Sequence, residues 1–252
     1  MWLGLRVAVV IPAYQEERLL PQTLRGLPSW VDEVVVIDDA SEDATSEVAR
    51  GLSEHFEALG ARLTVARLTH NGGVGRAILH GYQLAERLGA HVAVVVGADA
   101  QMDPQEMPRL LSAICEGADY AKGERFSHPE VRARMPATRF WGNRALSLMT
   151  GLIAGLPELR DAQCGYTALR LSWLSRLPLE RVYPRYGFPN DLLMRLVEAG
   201  AKITQVPVSP IYGSEQSKLS IPRVMAPLMW ILLRGLARKL TMRRARLIDE
   251  RK

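Results

Sequence analysis

EVVVIDDASEDAT, residues 33–45, is a Val/Ile run closed by two adjacent aspartates and followed by residues that start a helix. A short, continuously apolar run ending in a polar tip is the mark of a strand buried on both faces, as in a parallel sheet. Similar runs recur at Leu5–Ile11, Arg62–Leu68 and His91–Val96, and helix-like stretches with apolar residues three and four apart lie between them at Glu17–Leu27, Ala44–Leu59 and Gly75–Leu88. This alternation predicts right-handed βαβ units, and hence an α/β protein with a mostly parallel central sheet flanked by helices. Ligands of such sheets sit beyond the carboxyl ends of the strands. The candidate site is therefore made of the tips PAYQE (12–16), DDASEDAT (38–45), HNGGVG (70–75) and GADAQMD (97–103).

The 252 residues are enough for one α/β domain, and 48% hydrophobic with 23% charged residues is a globular composition. Cys115 and Cys164 stand apart without a CxxC or a histidine at ligand spacing, so neither a zinc site nor a disulfide framework is expected. No secretory signal opens the chain, and a cytosolic protein is expected. The net charge of +5 divides unevenly: residues 223–252 carry nine Lys/Arg and two Asp/Glu, which leaves −2 for the rest. That asymmetry excludes a nucleic-acid reading of the whole chain. After residue 105 the regular alternation gives way to a helix-like stretch (105–117), DYAKGERF (119–126), an Arg-rich segment, a helical stretch (140–155), the turn-rich RDAQCGYTALR (160–170) and a strand-like run at 202–208.

Each tip has a structural and a functional reading. PAYQE is a strand-to-helix turn or a ligand-contacting one. Asp38 and Asp39 follow a buried strand and need partners to offset desolvation, and capping by Ser41 and Asp43 does not account for them. NGGVG suits close backbone approach to a phosphate or sugar at a helix N-terminus. It lacks the GK[ST] of a Walker loop and does not follow the first strand, which argues against dinucleotide binding.

Together VVIPAYQE, VVVIDDASEDAT, HNGGVGRAILHGYQLA, GADAQMDP, KGERF, MPATRFWGN, DAQCGYTA and YGFPNDLL resemble glycosyltransferase family 2, of GT-A fold, over about residues 6–222. The later motifs look most like its polyprenyl-phosphate (dolichol-phosphate) sugar transferase branch. The resemblance implies an inverting transferase moving a sugar from a nucleotide-sugar to a polyprenyl phosphate. Donor contacts would come from Pro12, Ala13, Tyr14, Glu16, Asp38, Asp39, Asn71, Gly75, Asp99 and Ser217. Mg²⁺ or Mn²⁺ would sit on Asp99 and Gln101, with Gly97 in place of the first carboxylate of a DxD pattern; weaker metal affinity is expected there. Lys122, Arg125 and Arg139 would hold the acceptor phosphate, with Arg132 and Arg134 nearby. Asp161, Asp191 and Lys218 would be catalytic, Lys218 offsetting leaving-group charge. Two alternatives remain open: a hydroxyl acceptor with Asp191 as general base, and a non-catalytic nucleotide-sugar-binding relative.

The chain thus divides into a transferase domain (1–222) and a basic amphipathic C-terminal helix (223–252). VMAPLMWILL (224–233) is too short to span a bilayer. Leu228, Ile231, Leu232, Leu236 and Leu240 share one helical face, with Arg and Lys supplying the charge. That pattern fits a helix in the interface on the cytoplasmic side of the cell membrane, or one docked on its own domain or on the second subunit of a homodimer.

Overall fold

The computed structural model describes residues 1–209, 211 and 221–249, without the side chains of 133–134, 221–224 and 242–249. Strands β1 (Val7–Ala13), β2 (Glu33–Asp38), β3 (Arg62–Arg67), β4 (Val92–Val95), β5 (Tyr120–Glu124), β6 (Thr167–Arg170) and β7 (Ile203–Pro207) form one sheet in the order β3-β2-β1-β4-β6-β5-β7. β6 runs antiparallel to β4 and β5, and every other pairing is parallel. The described helices are α1 (Leu20–Arg25), α2 (Thr45–Arg50), α3 (Ser53–Ala58), α4 (Val74–Arg87), α5 (Met107–Cys115), α6 (Val131–Arg134), α7 (Ala137–Ala154), α8 (Phe188–Glu198) and α9 (Ile221–Asp249).

The pleat of β1 explains the layering. Val7, Val9 and Ile11 pack with Leu20 and Leu24 of α1, Phe56 of α3 and Leu110 of α5 on one face. Ala8 and Val10 pack with Ala77 and Ile78 of α4 and Leu192 and Leu196 of α8 on the other. α4 lies so close to the sheet that a Cβ on Gly81 would sit 2.3 Å from Val10 Cγ1, so any larger residue would push the helix off. A third cluster joins Leu146 of α7 to Leu228 and Leu232 of α9, with Ile153 and Tyr186 against it. Ile231 is buried too, reaching the place a Cβ on Gly187 would take. Three of the five leucines and isoleucines on the expected interfacial face of α9 are thus spent on the protein itself. Leu236 and Leu240 of that face remain exposed.

The chain runs from β1 outward through β2 to β3 and then returns to place β4 on the other side of β1. This reversal opens a crevice at the carboxyl ends of β1 and β4. Three of the four non-glycine residues with positive φ lie there: Gln15 (54°), Ala40 (61°) and Ala100 (56°) follow the tips of β1, β2 and β4, and only Leu3 (45°) lies elsewhere among the described residues. A left-handed alanine or glutamine costs on the order of 1 kcal/mol, so this edge is held in shape by its surroundings.

Candidate active site

The loop after β4 carries Asp99 in a fixed frame. Thr23 of α1, buried, donates its hydroxyl to Ala98 O (3.2 Å) and accepts from Ala100 N–H (3.1 Å). Both peptide groups flanking Asp99 are therefore held by one side chain, which sustains the left-handed Ala100. The Asp99 Oδ1 accepts Gln101 N–H (3.2 Å), and Gly97 N–H donates to Met102 Sδ (3.2 Å). A Cβ at position 97 would lie 2.8 Å from Asp99 Oδ1. The glycine leaves room for Asp99 to fold back over it, so the single carboxylate sits where a second side chain would otherwise project.

Asp99 and Gln101 line one cavity with Met102, Arg125, Arg139, Cys164, Gly165, Tyr166 and Ser209. Arg125, at the end of β5, grips Asp161 through Nε (2.7 Å) and Nη2 (3.0 Å). Asp161 also accepts the backbone N–H groups of Arg125, Gln163 and Cys164. Burial alone would raise its pKa, but the charge and hydrogen bonds of Arg125, helped by the Lys122 charge, together outweigh it and hold the carboxyl below the ordinary range. Asp161 is thus a positioning group for Arg125. Tyr166 donates to Asp103 O (2.8 Å), tying the DAQCGYTA segment to the Asp99 loop. Burial pushes the Cys164 thiol up, so it stays protonated near neutrality.

Lys122 is not among the residues lining this cavity: it is fully buried in β5, donates to Cys164 O (2.7 Å), and its pKa is drawn down by burial. Asp191 likewise lies elsewhere. In the first turn of α8, it pairs with Arg195 Nε (3.0 Å) and Arg238 Nη2 of α9 (3.3 Å) and accepts Tyr183 N–H (2.9 Å). The chain places it under α9 because α8 starts at Phe188, which faces Gly75 of α4.

The two aspartates after β2, expected as donor contacts, have found partners within the protein. Asp38 accepts from Ser41 N–H and from the Ser46 hydroxyl, with Arg67 at 3.8 Å. Asp39 accepts Gly72 N–H (2.8 Å) and Gly73 N–H (2.7 Å) at the start of α4. Its carboxylate fills the nest of N–H groups in which the glycine loop suggested a phosphate. Those glycines answer to packing: a Cβ on Gly73, where φ is +93°, would meet Pro184 O at 2.8 Å, and one on Gly75 would meet the Phe188 ring at 2.6 Å. Arg185 reaches the side chain and backbone of Asn71 (3.4 and 3.3 Å). Pro12 and Ala13 end β1, Tyr14 and Glu16 follow, and the Gln15 and Glu16 N–H groups donate to Ser41 and Thr45. Ser217 and Lys218 lie outside the described residues. Thr23 escaped the sequence reading, since a helix threonine carries no motif, and Tyr166 was quoted within DAQCGYTA without a role of its own.

The sequence matches the profile of Glycosyl transferase family 2 over residues 8–177. The chain belongs to this family. The transferase is 33% identical over 208 residues to the undecaprenyl-phosphate mannosyltransferase of Micrococcus luteus, covering 81% of this chain and 83% of that one. It is 28% identical over 216 residues to the UDP-N-acetylglucosamine–dolichyl-phosphate N-acetylglucosaminyltransferase of Methanococcus voltae, covering 82% and 86%. Its fold matches glucosyl-3-phosphoglycerate synthase from Mycobacterium tuberculosis in complex with Mn²⁺, UDP and phosphoglyceric acid, at a TM-score of 0.67 and 20% identity over 94% of this chain and 79% of that one. The transferase is a nucleotide-sugar-dependent enzyme of GT-A-like fold.

Proposed function

We propose that the transferase moves a sugar from a nucleotide-sugar to the phosphate of a polyprenyl lipid, with inversion at the anomeric carbon. The observation that carries this reading is that Asp99 and Gln101 line the same cavity as Arg125 and Arg139. A donor diphosphate and an acceptor phosphate are both anions, and a site for both is served by guanidinium groups together with oxygen ligands for a counter-cation. The names of the Micrococcus and Methanococcus relatives support a polyprenyl-phosphate acceptor. In the reaction an acceptor phosphate oxygen attacks the anomeric carbon while the bond from that carbon to the donor phosphate breaks, releasing a nucleoside diphosphate. Arg125 and Arg139 orient the acceptor, and Asp161 keeps Arg125 in place. Ser217 and Lys218 are proposed to contact the diphosphate.

The donor set suits a hard cation. Asp99 forms no ion pair among the described residues, and it shares the cavity with the amide of Gln101. Asp99 and Gln101 would hold Mg²⁺ or Mn²⁺, which keeps waters and substrate phosphates in its shell. When bound, the ion supplies positive charge against the leaving diphosphate. Of the two open alternatives, a hydroxyl acceptor would need Asp191 as a free base. Its burial between two arginines supports the phosphate acceptor instead, because an ionised phosphate needs no base. The protein is placed at the cytoplasmic face of the membrane, with contact through its C-terminal helix. Among the described residues no helix is long and apolar enough to cross a bilayer.

The test is transfer of labelled sugar from UDP-, GDP- and dTDP-sugars, with Mn²⁺, to undecaprenyl phosphate. One donor should give a lipid-linked product that Arg139→Ala loses. Transfer to a glycan or lipid hydroxyl, or no transfer from any donor, would overturn the reading.

A further inference from the structure

We infer that a polar ladder on the buried face of α7, Ser147 and Thr150 with Asn190 and Gln163, positions the acceptor arginines by fixing the Asp161 segment against the helix that carries Arg139. The inference rests on the acceptor reading above and adds to it four residues that do not line the cavity.

Sequence spacing brings the ladder onto one face. Arg139, Asn143, Ser147 and Thr150 follow one another at intervals of four, four and three, so they form a single stripe along α7. The stripe begins at the cavity, which Arg139 lines, and runs inward: Asn143 is 9% exposed, Ser147 1% and Thr150 0%. The residues α7 buries are these three polar ones, Leu146 and Gly151. Apolar side chains at the polar positions would fill the same space without needing partners. What hydrogen bonds add is direction, at the risk of leaving a buried group unsatisfied.

Every rung leads to the segment after Asp161. Ser147 Oγ donates to Asn143 O (2.7 Å) and accepts Ala162 N–H (2.9 Å), so one hydroxyl ties the helix to the residue next to Asp161. Thr150 Oγ1 accepts from Asn190 Nδ2 (2.8 Å), and Asn190 Oδ1 accepts from Gln163 Nε2. Gln163 N–H in turn donates to Asp161 Oδ1 (3.2 Å). Asn190 is buried in the first turn of α8 beside Asp191, but it serves α7 where Asp191 serves α9. Gln163 Oε1 is buried without a hydrogen-bond partner among the described residues. An orphaned acceptor is unfavourable, which suits a network kept for the place it gives the loop rather than for stability.

The consequence is a fixed relation between two cations. Asp161 clamps Arg125 through Nε and Nη2, the ladder ties Ala162 and Gln163 to α7, and Arg139 stands in the first turn of that helix. A phosphate held by two guanidinium groups needs both within hydrogen-bond reach of its oxygens, about 3 Å. Without the ladder α7 would be free to slide along the sheet and carry Arg139 away from Arg125.

The test combines a substrate readout with one that needs no substrate. Thr150→Val keeps the shape and removes the hydroxyl, Thr150→Ser restores it, and Ser147→Ala cuts the other rung. In transfer assays of the full chain with undecaprenyl phosphate, Thr150→Val and Ser147→Ala should each raise the acceptor KM about tenfold, roughly the worth of one hydrogen bond. The donor KM should stay within about twofold, and Thr150→Ser should return to the parent value. Cys164, buried in the same segment with a thiol that burial keeps protonated, reports on the loop itself. Its labelling by N-ethylmaleimide, resolved from exposed Cys115 by mass spectrometry, should quicken at least about tenfold in the two disruptive variants. Parent-like labelling, or faster labelling with an unchanged acceptor KM, would overturn the inference. So would a donor KM that rises as far as the acceptor's, the mark of general loosening. A parent that moves no sugar to the phosphate sinks the function reading and the acceptor role with it, while the labelling still shows whether the ladder holds the loop.

Discussion

Thr23 shows how one side chain outside every motif can set the chemistry of a loop. Its hydroxyl bonds the peptide groups on either side of Asp99, and Thr23→Val keeps the shape while removing both bonds. The affinity for Mn²⁺ in the presence of nucleotide should fall about tenfold, the value of roughly one positioning hydrogen bond. Thr23→Ser should restore it, and calorimetry reads both; equal affinities in all three forms would refute the clamp. At Gly97 a new side chain must displace the Asp99 carboxylate that now lies over it. Gly97→Asp should turn Asp99 outward and tighten Mn²⁺ binding in the same assay. Arg125 and Asp161 invite a pH test. The depressed pKa of Asp161 means that its pairing stabilises the fold above the unfolded carboxyl pKa and is lost as pH falls through the folded one. Arg125→Gln leaves that buried charge unpaired, costing about 3 kcal/mol near neutrality. In urea titrations the gap between the two proteins should be widest near pH 7, narrow as the pH falls, and close only below the ordinary carboxylate range, where the depressed pKa of Asp161 at last lets the parent carboxyl take up its proton. The aspartates after β2 show what sequence could and could not tell: their need for partners was legible, but Ser41, Ser46 and the Gly72–Gly73 backbone are partners that only the folded turns bring within reach.

Between elements, the ion pairs under α9 are the clearest case of a motif residue put to another use. Asp191 of α8 holds Arg195 and Arg238, and Arg238 also holds Glu198 at 2.9 Å, so α8 and α9 are joined by a buried charge cluster. Asp191→Asn removes one charge from it and should cost about 3 kcal/mol, a fall in Tm of roughly 6–12 °C for a chain of this size. Turnover of the folded variant at lower temperature should stay within a few-fold of the parent. Loss of turnover without loss of Tm would instead assign Asp191 to the chemistry. The strands of the first half were readable because their apolar runs are unbroken. β5 and β6 were not: YAKGE carries a lysine and a glutamate into full burial, and TALR is only four residues long, so neither shows a period. Their burial is made possible by a distant partner, Cys164 O for Lys122, and by the turn after β5, where Ser127 N–H donates to Glu124. The helix-like stretch 44–59 divides into α2 and α3 around Gly51, a break that periodicity alone passes over.

For the molecule as a whole, the first and second halves of the chain are one sheet, because β6 returns between β4 and β5 and pairs antiparallel with both. The cavity therefore spans strands from both halves, with Asp99 after β4, Arg125 after β5 and Tyr166 before β6. A ligand bridging them must stabilise the entire unit rather than a lobe of it. The correct nucleotide-sugar with Mn²⁺ at one hundred times its Kd should add about 2.7 kcal/mol, raising Tm by roughly 5–10 °C. The rise should appear as a shift of a single cooperative transition in calorimetry, and the ion or the nucleotide alone should give less, since each completes the other's ligand shell. A shift confined to one of two resolved transitions would mean that the halves unfold independently and that the donor touches only the first. Such a result would also remove the basis for treating Arg125 and Asp99 as one site, because their sharing of a cavity depends on β4, β6 and β5 holding together as one sheet.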